Sequence, residues 1–272
     1  MPFAQVRDLQ IYYERQGAGS PLLYISGTGG DLRRLPRVFD RPIARHFDVL
    51  AYDQRGLGQT SRPPGDYTMT DYAADAAALL DFIGWEQCHV MGVSFGGMVA
   101  QEFALRHPER VERLVLACTS SGGAGGASYP LHLHLDDTLE ERARRQVALS
   151  DVRRTPEWQQ ANGEQFQMLV AQILAGIKVG ADEPNRADGY RRQVLARKMH
   201  DTYDRLPGLR MPVFICGWRY DGIAPAANQY AMQKQIRHAL LELFEGGHAF
   251  LMEDPRAYER IIAFLKGELE HG

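Results

Sequence analysis

The chain has 272 residues, 44% hydrophobic and 24% charged, the balance of a soluble globular protein long enough for one large domain with an insertion. A formal net charge of −3 disfavours nucleic acid as a partner, since that would require a strongly basic surface. No apolar run approaches the ~20 residues of a membrane span, and the opening residues lack the basic and apolar stretches of a secretory leader, so a cytoplasmic protein acting on a small molecule, without membrane contact, is expected.

Phe3 to Val6 and Gln10 to Arg15 read as a hairpin turning at Asp8-Leu9. Pro21-Leu22-Leu23-Tyr24-Ile25 is the first strongly buried strand; it runs into Ser26-Gly27-Thr28-Gly29-Gly30 and then a helix toward Arg45. Strand Phe47 to Tyr52 comes next. Thr68 to Asp71 carries a capping pattern that starts the alanine-rich helix Tyr72 to Ile83. Cys88 to Val93 is a strand, Phe95 to Arg106 a helix stopped by Pro108, and Leu114 to Cys118 another strand. The alternation then breaks at Ser120-Ser121-Gly122-Gly123-Ala124-Gly125-Gly126-Ala127-Ser128, where side chains this small offer little to pack and a hinge or mobile loop is expected. Helical patterns follow over Asp137 to Ala148, Pro156 to Ala175 and Ala187 to Asp204. Strand Val213 to Gly217, helix Ala226 to Arg237, strand Leu240 to Phe244 and a last helix opened by Asp254-Pro255 complete the chain. Strands alternating with helices after an initial hairpin mean an α/β fold, a mostly parallel sheet with helices on both faces. The core is assigned to 1–119 and 211–272, and an insertion to 120–210. Cys88, Cys118 and Cys216 all fall in apolar strand-like runs and read as buried reduced thiols, and no cluster has metal-ligand spacing.

One stretch carries chemistry. In Gly92-Val93-Ser94-Phe95-Gly96 a serine sits between a strand and a helix with a glycine two residues away on each side. A sharp strand-to-helix turn crowds the flanking positions and leaves the serine hydroxyl exposed at its tip. A hydroxyl at neutral pH is a weak nucleophile, so it needs a base and an acid that orients the base. Asp221, just past Val213-Phe214-Ile215-Cys216, and His248, just past Leu241-Glu242-Leu243-Phe244, lie where strands end, the place at which parallel sheets bind ligands. The remaining histidines fall inside strands, at helix ends or in the insertion, where a structural role is the usual one.

These features, in the order serine, acid, histidine, resemble the α/β-hydrolase superfamily over nearly all of the chain except its middle. Tyr52-Asp53-Gln54-Arg55-Gly56-Leu57-Gly58, Gly92 to Gly97 and His107-Pro108-Glu109-Arg110-Val111 are most similar to the 3-oxoadipate enol-lactonase, esterase and cofactor-free haloperoxidase-like branch. The resemblance implies an α/β-hydrolase fold in which 120–210 forms a helical lid over Ser94, and a reaction needing no cofactor. Some relatives carry the acid one strand earlier; Thr119-Ser120-Ser121 offers no carboxylate there, which leaves Asp221. Members that open epoxides or remove halides carry aspartate where this chain has Ser94, so hydrolysis of a carboxylic ester or lactone of a small, largely apolar substrate is expected, through an acyl-enzyme. Peroxide-dependent perhydrolysis, hydrolytic C–C cleavage of β-diketone-like substrates and a ligand receptor of the same fold remain alternatives.

Developing charge on the substrate oxygen requires donors, and the backbone N–H groups of Phe95 and Thr28 are the candidates; relatives often have histidine where Ser26 stands. The lid aromatics and methionines nominate Trp158, Phe166, Met168 and Tyr190 as substrate contacts, although packing within the lid explains the same periodicity. Asp53 and Arg55 are expected to brace the neighbouring loop. Arg142, Arg144, Arg145, Arg153, Arg154, Arg191 and Arg192 are interleaved with acids and read as a solvated face, one inward arginine holding a substrate carboxylate being the exception to look for.

Overall fold

The computed structural model describes residues 3–249, 251 and 254–269. β1 (Phe3–Val6) and β2 (Leu9–Gly17) form the expected hairpin, with Val6 opposite Leu9. β2 then runs antiparallel to β4 (Asp48–Tyr52). From β3 (Pro21–Ile25) onward every pairing is parallel, through β5 (Cys88–Val93), β6 (Val111–Ala117), β7 (Val213–Trp218) and β8 (Leu240–Phe244). The order across the sheet is β1-β2-β4-β3-β5-β6-β7-β8.

The central strands are continuous apolar runs because both of their faces are covered. Side chains alternate between two cores. Leu23, Ile25, Val90, Leu114 and Leu116 meet α1 (Met69–Ile83), α2 (Phe95–Arg106) and α7 (Ala226–Gln235) on one face. Leu22, Val49, Met91 and Val115 meet α8 (Pro255–Leu265) and the turn at Ile43 on the other. Helix α1 begins where its capping pattern predicts: Thr68 Oγ1 accepts from the Asp71 N–H, and the Asp71 carboxylate accepts from the Thr68 N–H.

Three expectations change. No α-helix forms between β3 and β4; Pro36 and Pro42 limit that stretch to short 3₁₀ turns at Val38–Asp40 and Pro42–Arg45. The small-residue run is not a loose hinge at its start. Ser120 and Ser121 are fully buried, Ser120 O accepts from Gln101, and Ser121 O accepts from the Thr202 N–H. Small side chains let backbone approach backbone here, so their size favours packing rather than preventing it. The insertion contains four α-helices: α3 (Leu139–Ser150), α4 (Pro156–Ala161), α5 (Gly163–Lys178) and α6 (Arg186–Lys198). Asn162 breaks the single helix expected from Pro156 to Ala175. Helices α3 and α5 enclose a small core of their own, Ala143, Val147, Phe166, Val170 and Ile177.

Asp53 and Arg55 serve the loop after β4, as expected. Asp53 accepts from the Leu32 and Gln59 N–H groups, fastening two loops together. Arg55 is buried against Asp75 at 2.8 Å and also grips Asp8. Removing Asp75 would leave the buried Arg55 cation with only the exposed Asp8 as counter-charge. Asp75→Ala is therefore expected to lower the unfolding free energy by roughly 3 kcal/mol, measured by urea denaturation; a loss under about 1 kcal/mol would show that the pair is replaceable by solvent.

His200, beside the buried Thr202, adds a pH dependence. Burial pushes its imidazole down to about 4 from an ordinary 6.5. Between those values the unfolded chain takes up this proton and the folded chain does not, so stability falls as pH drops from 6.5 toward 4. Thermal midpoints measured from pH 7 to 5 should decline less steeply in His200→Asn than in the parent, and parallel declines would count against it.

Candidate active site

Ser94 joins the end of β5 to the start of α2 with φ 55° and ψ −117°, a strained backbone for a residue with a side chain. Its neighbours hold it there. The Ser94 N–H donates to Ala117 O at 2.8 Å, and Thr119 Oγ1 donates to Ser94 O at 2.7 Å. The flanking glycines are required by close approach: a Cβ on Gly92 would lie 2.3 Å from Gly96 O, and one on Gly96 would lie 2.0 Å from Ile25 O. Helix α2 can thus press its N-terminus onto the end of β3.

Asp221 follows β7 and His248 follows β8, the next two strands along the carboxyl edge beyond β6. The Asp221 side chain is wholly buried. One of its oxygens accepts from the Ile223 and Ala224 N–H groups at 2.7 and 2.9 Å, and the other lies 2.6 Å from His248 Nδ1. A carboxylate only accepts, so this contact places the ring proton on Nδ1 and turns the Nε2 lone pair toward Ser94 Oγ, 3.1 Å away. The His248 N–H also donates to Ser150 O at 2.5 Å, tying the histidine loop to the end of α3.

The sequence profile of the family described as alpha/beta hydrolase fold matches residues 20–255. The chain belongs to this family. Its sequence is 29% identical over 280 residues to the provisionally named carbamate hydrolase RutD of Azorhizobium caulinodans, covering 99% of this chain and 100% of that protein. It is 30% identical over 251 residues to the poly(3-hydroxyalkanoate) depolymerase of Ectopseudomonas oleovorans, covering 92% and 85%. The crystal structure of the enol-lactonase from Burkholderia xenovorans LB400 has the same fold, with a TM-score of 0.78, 21% identity and coverage of 98% and 100%. Hydrolysis is the class of activity that the family description and the first relative's name share.

In this α/β-hydrolase Ser94 and His248 open onto a cavity of about 220 Å³. Among the described residues the Thr28 and Phe95 N–H groups have no acceptor, which leaves both available to a ligand oxygen. Gln193 of α6, fully buried, accepts from the neighbouring Gly29 N–H at 2.7 Å and so holds the Thr28 loop. Gln54 holds it from the other side, donating to Ser26 O at 2.7 Å. Gln54 and Gln193 therefore keep the loop in place with serine at position 26. Gln193 had no signal in the sequence, since a glutamine inside a charged helix looks like a surface residue.

The insertion is placed differently from the sequence reading. Of the four nominated contacts only Tyr190 lines the cavity. Phe166 and Trp158 pack in the small core between α3 and α5, and Met168 is 54% exposed. Periodicity marks a helix's apolar face but says nothing of what that face meets. Leu131, Leu149 and Ile223 supply apolar wall instead, alongside His134, Asp137, Arg142 and Arg145. The arginines are thus not one solvated face, and two of them bring charge to an otherwise mainly apolar cavity wall. Arg144 does pair with Glu140 in solvent, but Arg145 pairs with Asp137 inside, and Arg142 lies over the Tyr190 ring at 3.5 Å. Among the described residues no group of histidine, cysteine and acidic side chains could hold a metal, and no helix is long and apolar enough to cross a membrane.

If the elbow's close approach sets the position of Ser94, an added methyl must displace it. Gly96→Ala is expected to slow labelling of Ser94 by a fluorophosphonate roughly 100-fold, measured by mass spectrometry of the labelled peptide; labelling at the parent rate would mean that α2 yields without moving the serine.

Proposed function

We propose that this protein is a serine hydrolase that cleaves a carboxylic ester or lactone of a small substrate through an acyl-enzyme. The observation that carries the reading is the unbroken line from Asp221 through His248 to Ser94 Oγ, with the hydroxyl facing a cavity of about 220 Å³. In this reading Ser94 attacks the acyl carbonyl while Nε2 of His248 takes its proton. Asp221 holds the imidazole in the required tautomer and stabilises the imidazolium. The carbonyl oxygen becomes an oxyanion and accepts from the Phe95 and Thr28 N–H groups, each of which contributes about 3 kcal/mol to lowering the barrier. The N-terminus of α2 adds favourable partial charge at the same place. The imidazolium then protonates the leaving alkoxide, and a water activated by the same nitrogen releases the acid and restores Ser94.

The relatives support an acyl substrate, because a carbamate and a poly(3-hydroxyalkanoate) both present a carbonyl for such an attack. Residues 120–210 act as a lid in this proposal: Leu131, Leu149 and Tyr190 roof the cavity, and Gln193 links the roof to the oxyanion loop. Excluding water strengthens the hydrogen bonds to the developing charge.

Short p-nitrophenyl esters and simple lactones are the assay. Ser94→Ala should abolish turnover, and Asp221→Asn should lower kcat by about 10⁴-fold while the protein stays folded. Undiminished ester turnover by Ser94→Ala would overturn the assignment.

A further inference from the structure

Behind the Ser94 cavity lies a second chamber of about 300 Å³, and the two share His134, Asp137, Arg142 and Tyr190 in their walls. The second chamber is rich in cations, Arg186 buried and Arg34 and Arg142 half-buried. Arg34, Arg142 and Arg186 converge on it from the loop after β3 and from helices α3 and α6. Arg186 has a counter-charge, Asp31 at 3.2 Å, yet its Nη1 is buried without a hydrogen-bond partner. Among the described residues the side chains of Arg34 and Arg142 have neither an ion pair nor a hydrogen bond, and Arg34 Nε is buried. Three of the nearby acids are already engaged, Asp31 and Glu183 with Arg33 and Asp137 with Arg145, while Asp188 on the chamber wall is exposed.

Cations drawn partly out of water without counter-charge carry a desolvation cost, and a guanidinium does not escape it by losing its proton at neutral pH. Burial and mutual repulsion push Arg34 down to about 10, still far above that range. Arg142 is held with its face on Tyr190, an arrangement that leaves the edge of the guanidinium, where the N–H donors are, free to grip a planar anion. Its Nη2 sits 3.2 Å from where a Cβ of Gly29 would be, next to the oxyanion-loop residue Thr28.

We propose that this chamber binds a carboxylate carried by the substrate at the end remote from the scissile bond, with Arg142 and Arg34 as its ligands. A monoanion suits the site better than a dianion such as phosphate, because Asp137 and Asp188 share the wall and would repel the second charge. The proposal rests on the serine-hydrolase reading for its substrate but not for its binding site, so two measurements keep them apart.

The first compares kcat/KM of the full-length protein for the p-nitrophenyl monoester of glutaric acid and for p-nitrophenyl pentanoate, its uncharged counterpart. The carboxylate substrate should be preferred by at least ~10-fold, and Arg142→Gln and Arg34→Gln should each bring the ratio toward one. A ratio near one in the parent, or a preference unchanged in both variants, overturns the proposal. The second measures glutarate binding to the parent and to both variants by calorimetry, with circular dichroism checking that each is folded. Binding by the parent that is weakened about 10-fold or more in the variants supports the chamber even if no ester is turned over, an outcome that would sink only the hydrolase reading. No glutarate binding, or inorganic phosphate binding more tightly than glutarate, overturns the carboxylate assignment.

Discussion

The backbone of Ser94 is held at a positive φ, and the rest of the site is built around that turn. Such a conformation is costly for a residue with a side chain and persists only where its surroundings impose it. Here they do so through close packing: Gly96 against the Ile25 carbonyl, Gly92 against Gly96, and hydrogen bonds from the β6 edge on both sides of the serine. The same contact that strains the turn brings the end of β3 beside it. The nucleophile candidate and the Thr28 N–H therefore share one wall of the cavity, and one packing constraint positions both.

Parallel strand order does the remaining placement. β7 and β8 end on the same edge of the sheet as β5, so the loop carrying Asp221 need only reach back over β6 and the loop carrying His248 over β7 and β6. Burying Asp221 is tolerable because two backbone N–H groups and the imidazole surround its carboxylate. The histidine loop is in turn pinned to α3 of the insertion through Ser150. The insertion touches the site at that point and again at Gln193, so its position and the geometry of Ser94, His248 and the Thr28 loop are physically linked.

A contrast in electrostatics runs between the core and the chamber behind the site. In the core, Arg55 is buried but fully matched by Asp75 and Asp8. In the chamber, Arg34 and Arg142 are half-buried without such partners, although Asp31 and Asp137 stand close by in other pairs. A structural ion pair completes itself within the chain, whereas a binding site leaves a charge for its ligand to complete.

Much of this was legible in the amino-acid sequence because it is decided over a few neighbouring residues. The glycine spacing around Ser94, the Thr68 to Asp71 cap, the Asp254-Pro255 helix start and the apolar strands each depend on local sterics or local hydrogen bonds, and each lies where the sequence indicates. The placement of Ser94, Asp221 and His248 at strand ends follows from the alternation of strand and helix, while their order was legible only through the family resemblance. The sequence could not say which way a helix of the insertion is turned. Helices α3 and α5 spend their apolar faces on each other, which takes Phe166 and Trp158 away from the cavity, while Arg142 and Arg145 on the same α3 turn inward. Likewise the run from Ser120 to Ser128 looked loose because its packing partners, Gln101 and Thr202, come from distant parts of the chain. Which side chains meet across such separations is set by how the elements pack together, and only the tertiary structure decided it.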